Sequence, residues 1–240
     1  MKDKANKNII TNLSARSPFA EAFRALRTNI NFAGLDNPLR SILITSAGPN
    51  EGKSVVTCNL GVVLAQTNKK VLIVGCDLRR PTLHKVFDIN EHVGVTNVLI
   101  NELDPAELAQ PTDVPGLSIL ASGPIPPNPS ELVGSQRMKD LISRALEKFD
   151  YVLLDSPPIN IVTDPIVMST LVDGVIMVVK SGATRYENAR EAQAKLEKVG
   201  ANIIGVVLNS ISMSSGDYYY HYYYTQENEG KKNSQRIASL

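Results

Sequence analysis

The stretch "SAGPNEGKS", residues 46–54, follows the apolar run "RSILITS" directly and leads into a helical segment. Strand, glycine-bearing loop ending in GKS, then helix: this order is close to the P-loop pattern, in which backbone N–H groups cradle phosphates. The pattern places Ala47, Gly48, Pro49, Asn50, Glu51, Gly52, Lys53, Ser54 and Val55 around a nucleotide. Lys53 is set to reach the outer phosphates, and the Ser54 hydroxyl to bind Mg²⁺. Gly52 lets the backbone approach closely, while the helix behind it points its N-terminus at the anion. The first glycine of the strict pattern is replaced by Ala47. Asn50 stands where a positive φ is expected, a conformation Asn tolerates better than most residues.

Working outward, further short apolar runs follow: "KKVLIVGC", "LSIL", "YVLLDS", "GVIMVVK" and "NIIGVVL". Runs that are apolar throughout suit strands buried on both faces. Alternating with helical stretches, they predict an α/β fold with a doubly wound, mainly parallel sheet. Open sheets of this kind bind ligands at the carboxyl ends of their strands. Asp77 ends the second run and Asp155 the "YVLLDS" run, so either acid is placed to hold Mg²⁺ or its water shell. Read alone, each is equally a helix cap or turn former. Upstream, "SPFAEAFRALRTNINF" predicts a helix capped by Ser17 with Pro18 at its first position, burying Phe19, Phe23, Leu26 and Ile30. The connection 78–116 shows little periodicity, and the proline-rich "SGPIPPNPSE", residues 122–131, is expected to be extended or turn-like.

The expected organisation is a polar arm over residues 1–16, a nucleotide-binding domain over 17–210 and a tail over 211–240. With 240 residues and 43% hydrophobic content, the chain is long enough for one domain with a real core. A net charge of +1 gives no argument for nucleic acid as a partner. Cys58 and Cys76 form neither a CxxC pair nor a metal spacing, which points to a reducing cytoplasm. The N-terminal residues lack the apolar core of a signal peptide, and no apolar run approaches the roughly 20 residues that span a bilayer.

The tail holds "DYYYHYYYTQ", residues 217–226, with six of the chain's eight tyrosines: Tyr218, Tyr219, Tyr220, Tyr222, Tyr223 and Tyr224. Polar segments flank them on both sides, so packing does not explain them. They are either a low-complexity tail or a substrate. In the second case Asp77 or Asp155 is placed to orient a phenol and take its proton as a phosphoryl group arrives.

Taken together, the motifs resemble those of the bacterial tyrosine kinases of Gram-positive bacteria, over nearly the whole chain. "EAFRALRTN" carries Glu21, Arg24 and Arg27 in that family's ExxRxxR spacing, "GPNEGKS" matches its Walker A motif and "LLDSPP" its Walker B motif. "CDLRRPT" matches most of its Walker A′ motif, and "SGPIPPNPSEL" and the terminal tyrosines also fit. The resemblance implies ATP and Mg²⁺ as cofactors, with Lys53, Asp77 and Asp155 catalytic. It implies autophosphorylation of the tail tyrosines within a homo-oligomeric ring, with Glu21, Arg24 and Arg27 at the subunit contact. Implied partners are a separate transmembrane modulator that recruits the kinase to the inner face of the membrane, a protein-tyrosine phosphatase and further protein substrates, all in capsule or exopolysaccharide export. One feature departs from the family: its Walker A′ motif carries two acids as D-x-D, and the first of these is Gly75 here. The rival classes are a P-loop ATPase of the partitioning or septum-positioning type and a nucleotide-dependent scaffold. The former carry a second lysine where this chain has Gly48.

Overall fold

The computed structural model describes residues 17–211; the arm 1–16 and the tyrosine cluster lie outside the described residues. Among the described residues, those up to Asn209 belong to one compact unit. In chain order the elements are α1 (Pro18–Ala33), β1 (Ser41–Ser46), α2 (Lys53–Ala65), β2 (Val71–Gly75), α3 (Leu83–Phe87), α4 (Val95–Asn101), α5 (Pro105–Leu108) and β3 (Gln110–Pro111). They continue with β4 (Leu117–Leu120), α6 (Pro129–Val133), α7 (Gln136–Lys148), β5 (Tyr151–Asp155), α8 (Asp164–Ser169), β6 (Gly174–Lys180), α9 (Tyr186–Lys198) and β7 (Ile203–Asn209).

The seven strands form one sheet in the order β3-β4-β2-β5-β1-β6-β7. Every pairing is parallel except that of β3 with β4. β5 therefore sits between β1 (Ser41–Ser46) and β2 (Val71–Gly75), although it starts only at Tyr151. Ile44 and Gly75 both stand in register with Asp155, so the carboxyl ends of β1, β5 and β2 lie side by side. This is the reason three motifs distant in sequence meet at one edge.

The central strands are buried on both faces, as their unbroken apolar runs require. Ile42, Ile44, Ile73, Leu153 and Ile176 pack on one side with α1 and α2. Leu43, Leu72, Val74, Val152, Leu154 and Met177 pack on the other with residues of α4, α7 and α9. Helix α2 is buried from Val56 to Ala65, because the sheet covers one side and Phe23 and Ile30 of α1 pack from the other. A helix apolar all round needs such a double cover.

Helix α1 begins as expected: the Ala20 N–H donates to Ser17 Oγ at 3.1 Å, with Pro18 in its first turn. Phe23 and Ile30 are buried and Leu26 packs against them. Phe19 does not join the core; it remains exposed and meets the Phe23 ring edge-on at 5.1 Å. Two expectations need correction. The connection 78–116 is not irregular but carries α3, α4, α5 and the short β3. The proline-rich loop ends sooner than expected, because Pro129 starts α6, a first-turn position that costs no backbone hydrogen bond. Among the described residues, no helix is long and apolar enough to cross a membrane.

Candidate active site

The loop between β1 and α2 has the strand–loop–helix geometry of a phosphate cradle. Asn50 adopts φ 59° and Gly52 φ 92°, both in the left-handed region. At Gly52 a side chain is excluded twice: by that φ, and by the Asn209 side-chain nitrogen, which would lie 2.0 Å from an added Cβ. Asn209, at the end of β7, uses that nitrogen to donate to the Glu51 carbonyl at 2.9 Å. The Glu51 side chain is buried and accepts a hydrogen bond from Thr184 Oγ1 at 2.6 Å. The loop is thus tied to the ends of β6 and β7. Pro49 lies in the loop but has no N–H, so the anion donors come from its neighbours.

Inside this frame two pairs converge. Lys53 Nζ stands 3.2 Å from Asp77 Oδ2, with side chains 14% and 9% exposed. Ser54 Oγ donates to Asp155 Oδ2 at 2.7 Å, and Thr57 Oγ1 lies 3.5 Å from the other carboxylate oxygen. Asp77 also accepts the Arg80 N–H at 3.0 Å, which closes the turn after β2. Thr82 Oγ1 stands 3.3 Å from Ser54 Oγ. Burial raises the Asp155 pKa above the ordinary carboxyl value, against the pull of the nearby Lys53 cation and the Ser54 hydrogen bond. Such a group gains from a divalent cation, which stabilises the ionised form that burial penalises. The residues therefore fit a nucleotide with Mg²⁺: an amide cradle, one lysine, one hydroxyl and two buried acids.

A family model described as ParA, "NUBPL iron-transfer P-loop NTPase", matches residues 39–239, and the parallel sheet and phosphate loop are those of this P-loop class. Within that class the chain is 39% identical over 211 residues to the tyrosine-protein kinase YwqD of Bacillus subtilis, covering 88% of this chain and 89% of the relative. It is 36% identical over 196 residues to the putative tyrosine-protein kinase CapB of Staphylococcus aureus, covering 82% and 86%. Among solved structures, the chimerical protein CapA2B2 superposes with a TM-score of 0.81 at 37% identity, covering 86% of this chain and 91% of that one. The chain belongs to the bacterial tyrosine kinases.

The structure brings together Lys53, Ser54, Asp77 and Asp155, and on α1 it shows the contacts that Glu21, Arg24 and Arg27 make within one copy. Glu21 and Arg24 pair with each other at 2.7 Å along the helix. Arg27 reaches inward and donates to the Val63 carbonyl of α2 at 2.8 Å. Within a single copy, then, Arg27 fastens α1 to α2.

Sequence reading missed a second cluster. Arg79 donates to both carboxylate oxygens of Asp164, at 3.1 and 3.2 Å, and to Ser130 Oγ at 2.7 Å. Ser130 in turn donates to Asp164 at 2.8 Å. Asp164 is 1% exposed. The arginine stands two residues past Asp77, so the cluster fastens the Asp77 turn to the first turn of α6 and to α8. Arg79 and Ser130 lie within the quoted "CDLRRPT" and "SGPIPPNPSEL", whereas Asp164 left no sequence signal. Removal of Arg79 strands a buried carboxylate. Because Arg79 is itself partly exposed, Arg79→Ala is expected to cost about 2 kcal/mol, less than a fully buried pair. Urea denaturation checks this, and an unchanged midpoint would show that Asp164 needs no cation.

Gly75 has a physical account. A Cβ there would lie 2.8 Å from Ser122 Oγ and 3.1 Å from the Ser122 backbone nitrogen. Ser122, at the end of β4, holds that place by donating to the Gly75 carbonyl at 2.7 Å. A second acid must therefore displace Ser122. Gly75→Asp is expected to destabilise by about 1–2 kcal/mol through overpacking. Any rate it adds should be larger when Ser122→Gly is combined with it. Equal melting temperatures for wild type and Gly75→Asp would show that the strand yields freely.

Proposed function

We propose that this chain is an ATP- and Mg²⁺-dependent protein-tyrosine kinase. Its acceptors are Tyr218, Tyr219, Tyr220, Tyr222, Tyr223 and Tyr224 of a neighbouring copy in a homo-oligomeric ring. The observation that carries this reading is the meeting of Lys53–Asp77 and Ser54–Asp155 at the ends of three adjacent strands. Family membership supports it, since the relatives are named tyrosine-protein kinases.

Phosphoryl transfer needs positioning and charge neutralisation more than covalent help from the protein. The loop amides and Lys53 take the outer phosphates, and Lys53 gives up Asp77 to do so. Ser54 and Asp155 would hold Mg²⁺, and the ion would supply charge neutralisation at the phosphoryl oxygens. Asp77, released from Lys53, accepts the phenol proton. The phenol oxygen forms a bond to the γ-phosphorus, the bond to the β–γ bridging oxygen breaks, and ADP leaves. A phenol of pKa about 10 is mostly neutral near pH 7, so the base has work to do.

The wider setting follows the family. A separate transmembrane modulator recruits the kinase to the inner face of the membrane, and a protein-tyrosine phosphatase reverses the modification. Glu21, Arg24 and Arg27 line the ring contact, and the outcome is control of capsular polysaccharide or exopolysaccharide synthesis and export. The match to a ParA model favours one other reading, a P-loop ATPase that transfers phosphate only to water. Incubation with ATP labelled at the γ-phosphate separates the two. A kinase places label on its own tyrosines, whereas release of free phosphate without phosphotyrosine would reject the kinase assignment.

A further inference from the structure

In the turn after β2, residues 77–83, nearly every polar side chain already has a partner. Asp77 pairs with Lys53, Arg79 is taken by Asp164 and Ser130, and Thr82 meets Ser54. Arg80 is the exception. Its backbone N–H donates to Asp77 Oδ1 at 3.0 Å, but its side chain is exposed and, among the described residues, makes no hydrogen bond or ion pair. An unpaired arginine on a surface is ordinary. The position of this one is not. Its hydrogen bond to Asp77 sets the Arg80 Cα within about 4.5 Å of that carboxylate, from bond lengths alone. The clamped Arg79 before it and Pro81 after it restrict its backbone. An extended arginine side chain spans about 7 Å, so the guanidinium reaches well beyond Asp77 on the solvent side, from which an acceptor enters.

We propose that Arg80 binds a phosphotyrosine two residues away from the acceptor tyrosine, so that a phosphate already placed on the tail of a neighbouring copy favours the next transfer. The inference rests on the kinase reading, with Asp77 as the base, and names how that site works through a cluster of acceptors. An acceptor segment bound in extended form rises about 3.3 Å per residue, so its side chains at i and i+2 share one face about 7 Å apart. That spacing lies within the reach of Arg80 from the carboxylate that receives the phenol. The sequence supplies three such pairs: Tyr218 with Tyr220, Tyr220 with Tyr222, and Tyr222 with Tyr224. A phosphotyrosine carries about −1.5 to −2 charges near pH 7, and a guanidinium meets a phosphate through two parallel hydrogen bonds. A neutral phenol has one oxygen and no charge, so the contact forms only after a first transfer.

The test uses the full chain and two synthetic peptides of residues 215–226, with phosphorylation followed by mass. Both keep Tyr222 as the single acceptor and carry phenylalanine at the other tyrosine positions, except that one has phosphotyrosine at position 220. Wild type should use the phosphorylated peptide with a kcat/KM about tenfold higher. Arg80→Gln should bring that ratio close to one. Arg80→Lys should keep an intermediate ratio, since it retains the charge but not the planar fork. Both variants keep the backbone N–H that holds Asp77, and a general loosening of the turn would slow both peptides without moving their ratio. The affinity for a non-hydrolysable ATP analogue should stay at the wild-type value in Arg80→Gln. A wild type that uses the two peptides equally, or a preference that survives Arg80→Gln, would overturn the inference. An unmoved ratio with weakened analogue binding would overturn it too and assign Arg80 to the nucleotide. A wild type that phosphorylates no tyrosine at all, in either peptide or in its own tail, would overturn the kinase reading and this inference with it.

Discussion

Lys53→Met should remove tyrosine labelling, with a rate loss of about a hundred- to a thousandfold. Lys53 is the cation that the P-loop brings to the outer phosphates, and its present partner Asp77 lies 3.2 Å away. Methionine keeps the length and packing of the side chain but carries no charge. The same change leaves Asp77, 7% exposed, beside Asp155 without its cation. The nucleotide-free variant should therefore also be less stable, by about 2 kcal/mol. Assays belong well below its melting temperature, and a thermal melt supplies the control. A folded variant that labels tyrosine at the wild-type rate would remove Lys53 from the mechanism.

Asp155→Asn should separate activity from stability in opposite directions. Activity should fall by about a hundredfold or more, because Ser54 loses the acid beside which Mg²⁺ is to be held. Stability of the nucleotide-free chain should rise. Burial raises the Asp155 pKa, so the folded chain keeps this proton to higher pH than the unfolded chain does. A group of this kind contributes stability below its unfolded pKa and loses that contribution as pH rises through its folded pKa. Wild type should thus lose stability relative to Asp155→Asn across the range above pH about 4. Near pH 7 the variant should melt a few degrees higher. Adding nucleotide with Mg²⁺ should stabilise wild type more than the variant and narrow or reverse the gap. A variant that melts below wild type without nucleotide at pH 7 would show that the Ser54 and Thr57 contacts outweigh the burial of charge.

The parts of this site that were legible in the sequence are those set by local chemistry. "GPNEGKS" places a loop before a helix because Gly52 and Asn50 accept φ values that most residues avoid. Asp77 and Asp155 were readable because each ends an unbroken apolar run, and parallel sheets gather such ends at one edge. The single-turn elements were not readable. α3, α5 and α6 span four or five residues, too few for a 3.6-residue period to show. Contacts between distant residues were equally silent. Asp164 stands in no motif of the sequence, yet it is the buried partner of Arg79 across 85 residues of chain. Ser122 opens the proline-rich stretch, and nothing there tells that it occupies the space beside Gly75. Arg27 reads as part of a polar stripe, yet its guanidinium reaches a carbonyl of the next helix. In each case the missing information is which segment lies opposite, and sheet order decides that rather than any local pattern.

A mixing experiment tests the central claim most directly. One chain carries Lys53→Met and keeps its tyrosines. The other has Lys53 and carries phenylalanine at 218–220 and 222–224. Neither should label itself on these positions. Mixed with Mg²⁺ and ATP, the Lys53→Met chain should gain phosphate on tyrosines within 218–224, located by mass spectrometry. An unlabelled mixture, beside a wild type that labels those tyrosines, would contradict transfer between copies; phosphate released with no phosphotyrosine in either preparation would contradict the tyrosine kinase itself.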